Sequence, residues 1–521
     1  TSGGINVTGA ISVNGSALST SPSITATANG SITANEAIIV ESDGKVAGVT
    51  GYTASLGSEQ ELYNDHPRQF MSDFDSTTGK LVVVYATDAN QNQLYAKVGT
   101  ISGTSVSYGS AVAVSDTGDS DLTFEYGCSM VCGNGKVVIV YTDSSSGGNI
   151  KARAGTISGT SITFGTAIQL QNGADNASTA ICYDSDKDKY VALLSNENTG
   201  TQCESQILTV SGNSLSEVDG GTVVSASGDD ANHICIIYVP EKTAYFVAYV
   251  VGKGESPGTG HAGAGYAKGV VGTINGAGND MTWGTPTTMG SDNKNNLAIC
   301  YVPATEQVAV AYLDRYQAYR LESMVATVNW TNKTLAINNY HVIESSGNSS
   351  YKPVIASLSD TEGTILCAYK YSPGLVSNIG TVTQSNGSIA WAGRETLDDG
   401  SDIRVGGSWG RARGANIPKV GPGKYAFIAR DQTATKAWVK IKQFAATDLT
   451  TENFIGFAAA GYSDGNTATV YVTGATTTQS SLTPGKIHYI QQDGSVGLTA
   501  DTPSVIAGRA LTSTKLLITH G

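Results

Sequence analysis

Leu81–Tyr85 reads LVVVY, and the chain repeats this short apolar stretch six more times. The copies are Val137–Tyr141 (VVIVY), Tyr190–Leu194 (YVALL), Tyr245–Tyr249 (YFVAY), Val308–Tyr312 (VAVAY), Ile365–Tyr369 (ILCAY) and Tyr425–Ala429 (YAFIA). Their last residues stand 56, 53, 55, 63, 57 and 60 positions apart. A run of four or five β-branched and aromatic residues without polar alternation suits a strand covered on both faces. Recurrence at a nearly fixed period predicts seven copies of one structural unit.

Working outward from each copy, the same surroundings recur. A short apolar strand comes first, as in Ser129–Gly133, Ala180–Asp184 and Leu297–Pro303. A polar hairpin follows, such as Asp75–Gly79 or Pro240–Thr243, and then the repeated strand. After a variable loop comes a third strand ending in GTIS or a relative of it. The fourth strand is clearest where Gly99–Val114 (GTISGTSVSYGSAVAV) matches Gly155–Leu170 (GTISGTSITFGTAIQL). Four short strands per unit, repeated radially, predict an all-β fold built on a seven-bladed β-propeller. The period is too long for a parallel β-helix, and a helical solenoid would need helices.

A ring of blades must close, or its two ends expose unpaired strand edges. Ala54–Leu62 (ASLGSEQEL) resembles fourth strands such as Ile162–Leu170, whereas the seventh unit, from Asn416 to about Thr447, lacks a clear one. Residues 54–62 are therefore expected to supply the outer strand of the last blade. The expected division is 1–50, an N-terminal β segment; 51–450, the propeller; and 451–521, a C-terminal β domain packed with the N-terminal segment. Alternating strands around Asp43-Gly44 and Asp493-Gly494 mark both flanks. Such pairing makes the propeller an insertion between the two ends.

Composition agrees. The 521 residues include 62 glycines, and Thr, Ser, Asn and Val are abundant, which disfavours long helices. No apolar run approaches the roughly 20 residues of a membrane span. Thr1–Gly4 shows no signal-peptide pattern. A net charge of −13 argues against a nucleic-acid partner. Seven cysteines without CxxC spacing, three of them (Cys182, Cys235, Cys300) in similar apolar strands, read as buried thiols and suit a reducing compartment.

The flanks resemble a known class. Residues 24–49 (ITATANGSITANEAIIVESDGKVAGV) look like the opening of small decoration-type domains of tailed-phage particles. Residues 453–474 (NFIGFAAAGYSDGNTATVYVTG) and 481–518 (with LTPG, a DG turn and AGRALTSTKLLI) resemble the ends of structural proteins in marine and cyanobacterial phages. Gly4–Leu18 resembles short β-repeats of phage fibres. The resemblance covers about 120 residues and implies a virion component: a tail fibre that binds host receptors, or a capsid decoration protein. It also implies a homotrimer partnered by other virion proteins, assembled in the host cytoplasm and displayed on the virion surface.

Catalytic signatures are sparse. Asp184–Asp188 (DSDKD) begins like a calcium loop but lacks the glycine and the distal acidic residue, so a solvated turn is expected. Asp314, Arg315 and Glu322 form no recognisable hydrolase set and read as surface charge. Six scattered histidines give no zinc pattern, and no nucleophile elbow or P-loop is present. No cofactor and no enzymatic activity are expected. Gly252–Tyr266 reads as a connector that lengthens the fourth spacing. Two loops stand out as binding candidates: Leu313–Glu322 with Arg315, Tyr316, Tyr319 and Arg320, and Asp398–Asn416 with Arg404, Trp409, Arg411 and Arg413. Aromatic faces stack on sugars and Arg forks pair with carboxylates or sulfates, so acidic host glycans are the expected ligand class. The structural alternative is that these rings fill gaps between blades and the Arg side chains pair locally. Two other classes stay open, a secreted propeller lectin or adhesin and a glycan hydrolase.

Overall fold

The computed structural model describes residues 12–13, 16–17, 21–41, 43–65, 67–87, 93–115, 128–143, 148–172, 177–196, 202–229, 231–252, 265–290, 294–314, 317, 320–338, 340–345, 352–359, 362–371, 374–400, 403–405, 417–431, 436–501 and 503–519. The fold is all-β. The chain divides into two compact units, Ser55–Lys442 and a second made of Thr1–Ala54 with Gln443–Gly521.

In the first unit the chain builds one antiparallel meander after another. Pro67–Asp75, Lys80–Thr87, Leu94–Ser102 and Ser105–Tyr108 pair in sequence order, and Val112–Ala113 extends the outer edge on Leu94–Ser102. The plan repeats in the sheets that begin at Cys128, Ala177, Ala231, Lys294 and Val354. In a further sheet, Lys424–Asp431 pairs with Ile403–Val405 and Lys419–Gly421 on one side and with Lys436–Gln443 on the other. Outside Lys436–Gln443 lie Ser55–Leu56 and Gln60–Tyr63, the latter in the register Trp438 to Glu61. First strands of successive sheets touch one another, and Lys424–Asp431 touches Pro67–Asp75, so the series returns to its start. Meander sheets set side by side around an axis are the plan of a β-propeller.

The repeated apolar stretches are the second strands. Ala244–Val251 and Gln307–Asp314 are buried along their whole length, because a neighbouring sheet covers each face. Each fully buried Val, Leu or Ile contributes roughly 1.5–3 kcal/mol. The recurring glycine of the third strand also has a cause. Gly99, Gly155, Gly272 and Gly380 face Tyr108, Phe164, Trp283 and Trp391 across the hairpin to the fourth strand. A Cβ on Gly155 would lie 2.8 Å from the Phe164 ring, and one on Gly272 would lie 2.3 Å from the Trp283 ring. Glycine leaves the space into which each ring folds. Leu62 sits in a core cluster with Phe70, Leu81 and Tyr85 of the first sheet and Ile428 and Val439 of the last. That cluster is the apolar seam of the ring, and Lys436 adds an ion pair to Glu59 at 2.9 Å.

The second unit holds two five-stranded sheets of identical topology. Sheet I runs Ser23–Thr27, Thr467–Tyr471, Phe454–Ala458, Ala37–Val40, Val46–Gly48; sheet II runs Thr476–Thr478, Lys515–Ile518, Val505–Ala510, Ile487–Ile490, Val496–Gly497. Their details coincide. Ile38 pairs with Gly456 and then Ile39 with Phe454; His488 pairs with Gly508 and then Tyr489 with Ile506, so both sheets carry the same bulge. A Cβ on Gly456 would lie 1.9 Å from the Tyr471 carbonyl oxygen, and one on Gly508 2.0 Å from that of Leu517. The turns match too: the Lys45 N–H donates to Asp43 and the Ser495 N–H to Asp493. The unit is an internal duplication. Of the fibre-like stretch Gly4–Leu18, the described residues give Ser12–Val13 paired with Ser16–Ala17, and the rest lies outside them.

Candidate functional site: the axial channel and the loop residues

The first strand of each propeller sheet has one paired edge and one edge turned to the axis. Together these strands enclose a cavity of about 500 Å³, a size that suits a small ligand. Val131, Ile181, Ile237, Ile299, Ile355 and Ile417 line it, drawn from successive sheets. Among the described lining residues Asp73 is the one carboxylate.

Asp73 is half-buried and bridges two sheets. Its Oδ2 accepts the Cys132 N–H at 2.8 Å, and its Oδ1 accepts the Phe74 N–H at 2.9 Å. Withdrawal from water raises its pKa to about 6, against the opposing pull of the Cys132 and Phe74 donors. A carboxyl of this kind can hold or release a proton near neutrality. Glycoside hydrolysis in its usual form needs a second carboxyl roughly 5–9.5 Å away.

Other polar groups of the inner strands fasten sheet to sheet. Asp75 accepts the Gly135 N–H at 3.0 Å, Tyr190 donates to the Gly133 carbonyl at 2.8 Å, and Ser129 donates to Thr179 at 3.1 Å. Asp184 corrects the expected solvated turn. It is fully buried, accepts the Asp186 and Lys187 N–H groups, and takes a hydrogen bond from Tyr245 of the next sheet, while Ser185–Asp188 are exposed. A buried carboxylate tolerates this position because three donors replace its water.

Of the candidate binding residues, Arg315, Tyr316, Tyr319, Trp409, Arg411 and Arg413 lie outside the described residues. Arg404 stands in Ile403–Val405, opposite Arg430, and its side chain lies outside them as well. Arg320 opens the strand Arg320–Asn329 and forms an ion pair with Glu322. Glu322 is 1% exposed and also accepts the Tyr312 hydroxyl at 3.1 Å. Asp314 is 2% exposed and paired with Lys294 at 3.3 Å. Both acids were expected as surface charge; instead they are buried and compensated, as a carboxylate withdrawn from water must be. Most of the connector, residues 253–264, lies outside the described residues.

No disulfide links the seven cysteines; six are buried and Cys235 is half-buried. Burial pushes the Cys128 and Cys203 thiols up, which leaves them poor nucleophiles. Among the described residues no three His, Cys, Asp or Glu side chains gather as a metal site requires, and no helix is long and apolar enough to cross a membrane. Asp73 escaped the sequence reading because the two acids of the first-strand stretch FMSDFD, Asp73 and Asp75, make no motif. Its only signal is a charge where the next five first strands have Val131, Cys182, Ile237, Cys300 and Ala356.

No family model and no curated protein matches the chain. Among solved structures, a Lactobacillus plantarum protein is 11% identical with TM-score 0.38, over 73% of this chain and 97% of that one. The GH93 alpha-L-arabinofuranosidase of Fusarium graminearum, in complex with arabinobiose, is 11% identical with TM-score 0.39, over 66% and 98%. The β-propeller domain of the Trilobed protease from Pyrococcus furiosus is 7% identical with TM-score 0.35, over 71% and 95%. At these scores the likeness carries no conclusion about activity.

Proposed function

We propose that this chain is a non-enzymatic surface protein of a tailed-phage particle, in which a seven-bladed β-propeller is displayed for binding acidic host glycans. The terminal segments form the module that docks onto other virion proteins, and the protein assembles in the host cytoplasm without nucleic acid or membrane insertion. The observation that carries this reading is the layout of the chain. Residues from both flanks build one β unit with its own core, and the whole propeller is inserted between them. The channel, in which Asp73 is the one carboxylate among the described lining residues, suits a rigid scaffold better than a hydrolytic centre that works through a carboxyl pair. Glycan contacts are assigned to Arg315, Tyr316, Tyr319, Arg320, Arg404, Trp409, Arg411 and Arg413.

Immunogold electron microscopy of source particles, with antibody against the propeller, tests the reading. Label at the tail supports a receptor-binding fibre, and sialylated or sulfated glycans should then bind less well to R404A and R413A. Label over the capsid moves the role to decoration. Particles without label overturn the proposal and favour a secreted lectin.

A further inference from the structure

A carboxylate taken from water must be given a cation or a full set of donors in exchange. Among the described residues of the propeller, the buried acids meet that need in two ways. Asp143, Asp229, Asp314, Glu322 and Asp398 are ion-paired with Lys151, Lys268, Lys294, Arg320 and Lys440. Asp75 and Asp184 instead accept three hydrogen bonds each. Asp73 has neither arrangement. Its two oxygens accept one N–H apiece, from Cys132 and Phe74, and among the described residues no Lys, Arg or His pairs with it. A carboxylate offers about four acceptor sites, so about half of those on Asp73 remain open.

Those open sites belong to a residue that lines the axial cavity. Burial, and after it the like charge of Asp75, disfavours the ionised form of Asp73. A cation held beside it would act in the opposite sense. The walls define what kind of cation that is. Val131, Ile181, Ile237, Ile299 and Ile355 bring aliphatic side chains to the cavity. The first strands are terminal in their sheets, so the backbone groups on their inner edges have no ladder partner. Carbonyls on those edges are further acceptors for N–H donors. A bare metal ion would leave the aliphatic walls unused, and a neutral hydrocarbon would leave Asp73 uncompensated. The volume of about 500 Å³ admits a small organic molecule that satisfies both.

We propose that the axial channel is a binding site for a small aliphatic ammonium ion, its charged head on Asp73 and its hydrocarbon body against the Val and Ile side chains. The net charge of −13 favours the approach of a cation. This site is separate from the glycan contacts assigned above and does not depend on them.

The probe is hexylammonium, added to the full-length chain at neutral pH, with hexanol as its uncharged counterpart. Calorimetric titration should give a dissociation constant of about 1 mM or tighter for hexylammonium, within reach of a ligand of this size. Hexanol should bind at least about tenfold more weakly, the worth of one charge-assisted hydrogen bond. Asp73→Asn keeps an acceptor for the Cys132 N–H and should retain the circular dichroism spectrum, yet lose hexylammonium affinity by the same factor. If that variant fails to fold, the comparison of hexylammonium with hexanol on the wild type still decides. Equal binding of the two probes, or equal affinity in the wild type and a folded D73N, overturns the proposal. So does a wild type in which hexylammonium produces neither heat nor a rise in melting temperature. Displacement of hexylammonium by equimolar sodium would show a site for a bare cation and overturn it too.

Discussion

Asp73 holds its proton to about pH 6 in the folded state and releases it near 3.8 when unfolded. A raised carboxyl pKa means that the folded state binds more protons between those values. Its contribution to stability is thus full below about pH 4 and is lost as pH rises through 6. The difference of about two units corresponds to about 3 kcal/mol at most. Asp73→Asn keeps an acceptor for the Cys132 N–H and removes the titration. Urea unfolding from pH 4 to 7 should show the wild type losing up to ~3 kcal/mol relative to the variant. Parallel curves would show that Asp73 titrates normally. The settings of Asp73, Asp184 and Glu322 were illegible in the sequence because one donor to each, Cys132, Tyr245 and Tyr312 respectively, comes from the next sheet or across a hairpin.

Second strands were legible because a run such as VVIVY needs cover on both faces, and only stacked sheets supply it. The GT of the third strand was visible as a motif, but its reason was not, since the aromatic partner sits about ten residues later. Gly155→Ala should cost roughly 1–3 kcal/mol by forcing Phe164 from its place, read from the urea midpoint. An unchanged midpoint would mean that the ring moves freely. Leu62 precedes the first full repeat yet is 1% exposed in the cluster that joins the first and last sheets. Leu62→Ala should destabilise the propeller by about 2–4 kcal/mol; a loss below 1 kcal/mol in thermal melts would show that the ring holds without this seam. The duplication in the flanks stayed hidden for a different reason. Ser31, Thr33, Asp43, Gly44 and Val46 recur as Ser481, Thr483, Asp493, Gly494 and Val496. The core residues between them, however, were rewritten to suit opposite faces, with Phe457 answering to Arg509.

For the whole molecule, the pairing of Gln60–Tyr63 with Lys436–Gln443 sets an order on biosynthesis. The strand that finishes the ring leaves the ribosome first, and its partner emerges roughly 370 residues later. At about 5–20 residues per second that interval lasts roughly 20–75 seconds. Meanwhile each intervening sheet can form as it appears, but the first keeps one flank bare until the last arrives. Ser23–Thr27 and Ala37–Val40 wait still longer for the strands they join. A chain that stops early can therefore complete neither unit, and it keeps raw strand edges on display. In a crowded cell such an edge is what chaperones and proteases recognise, so the topology doubles as a check that translation reached its end.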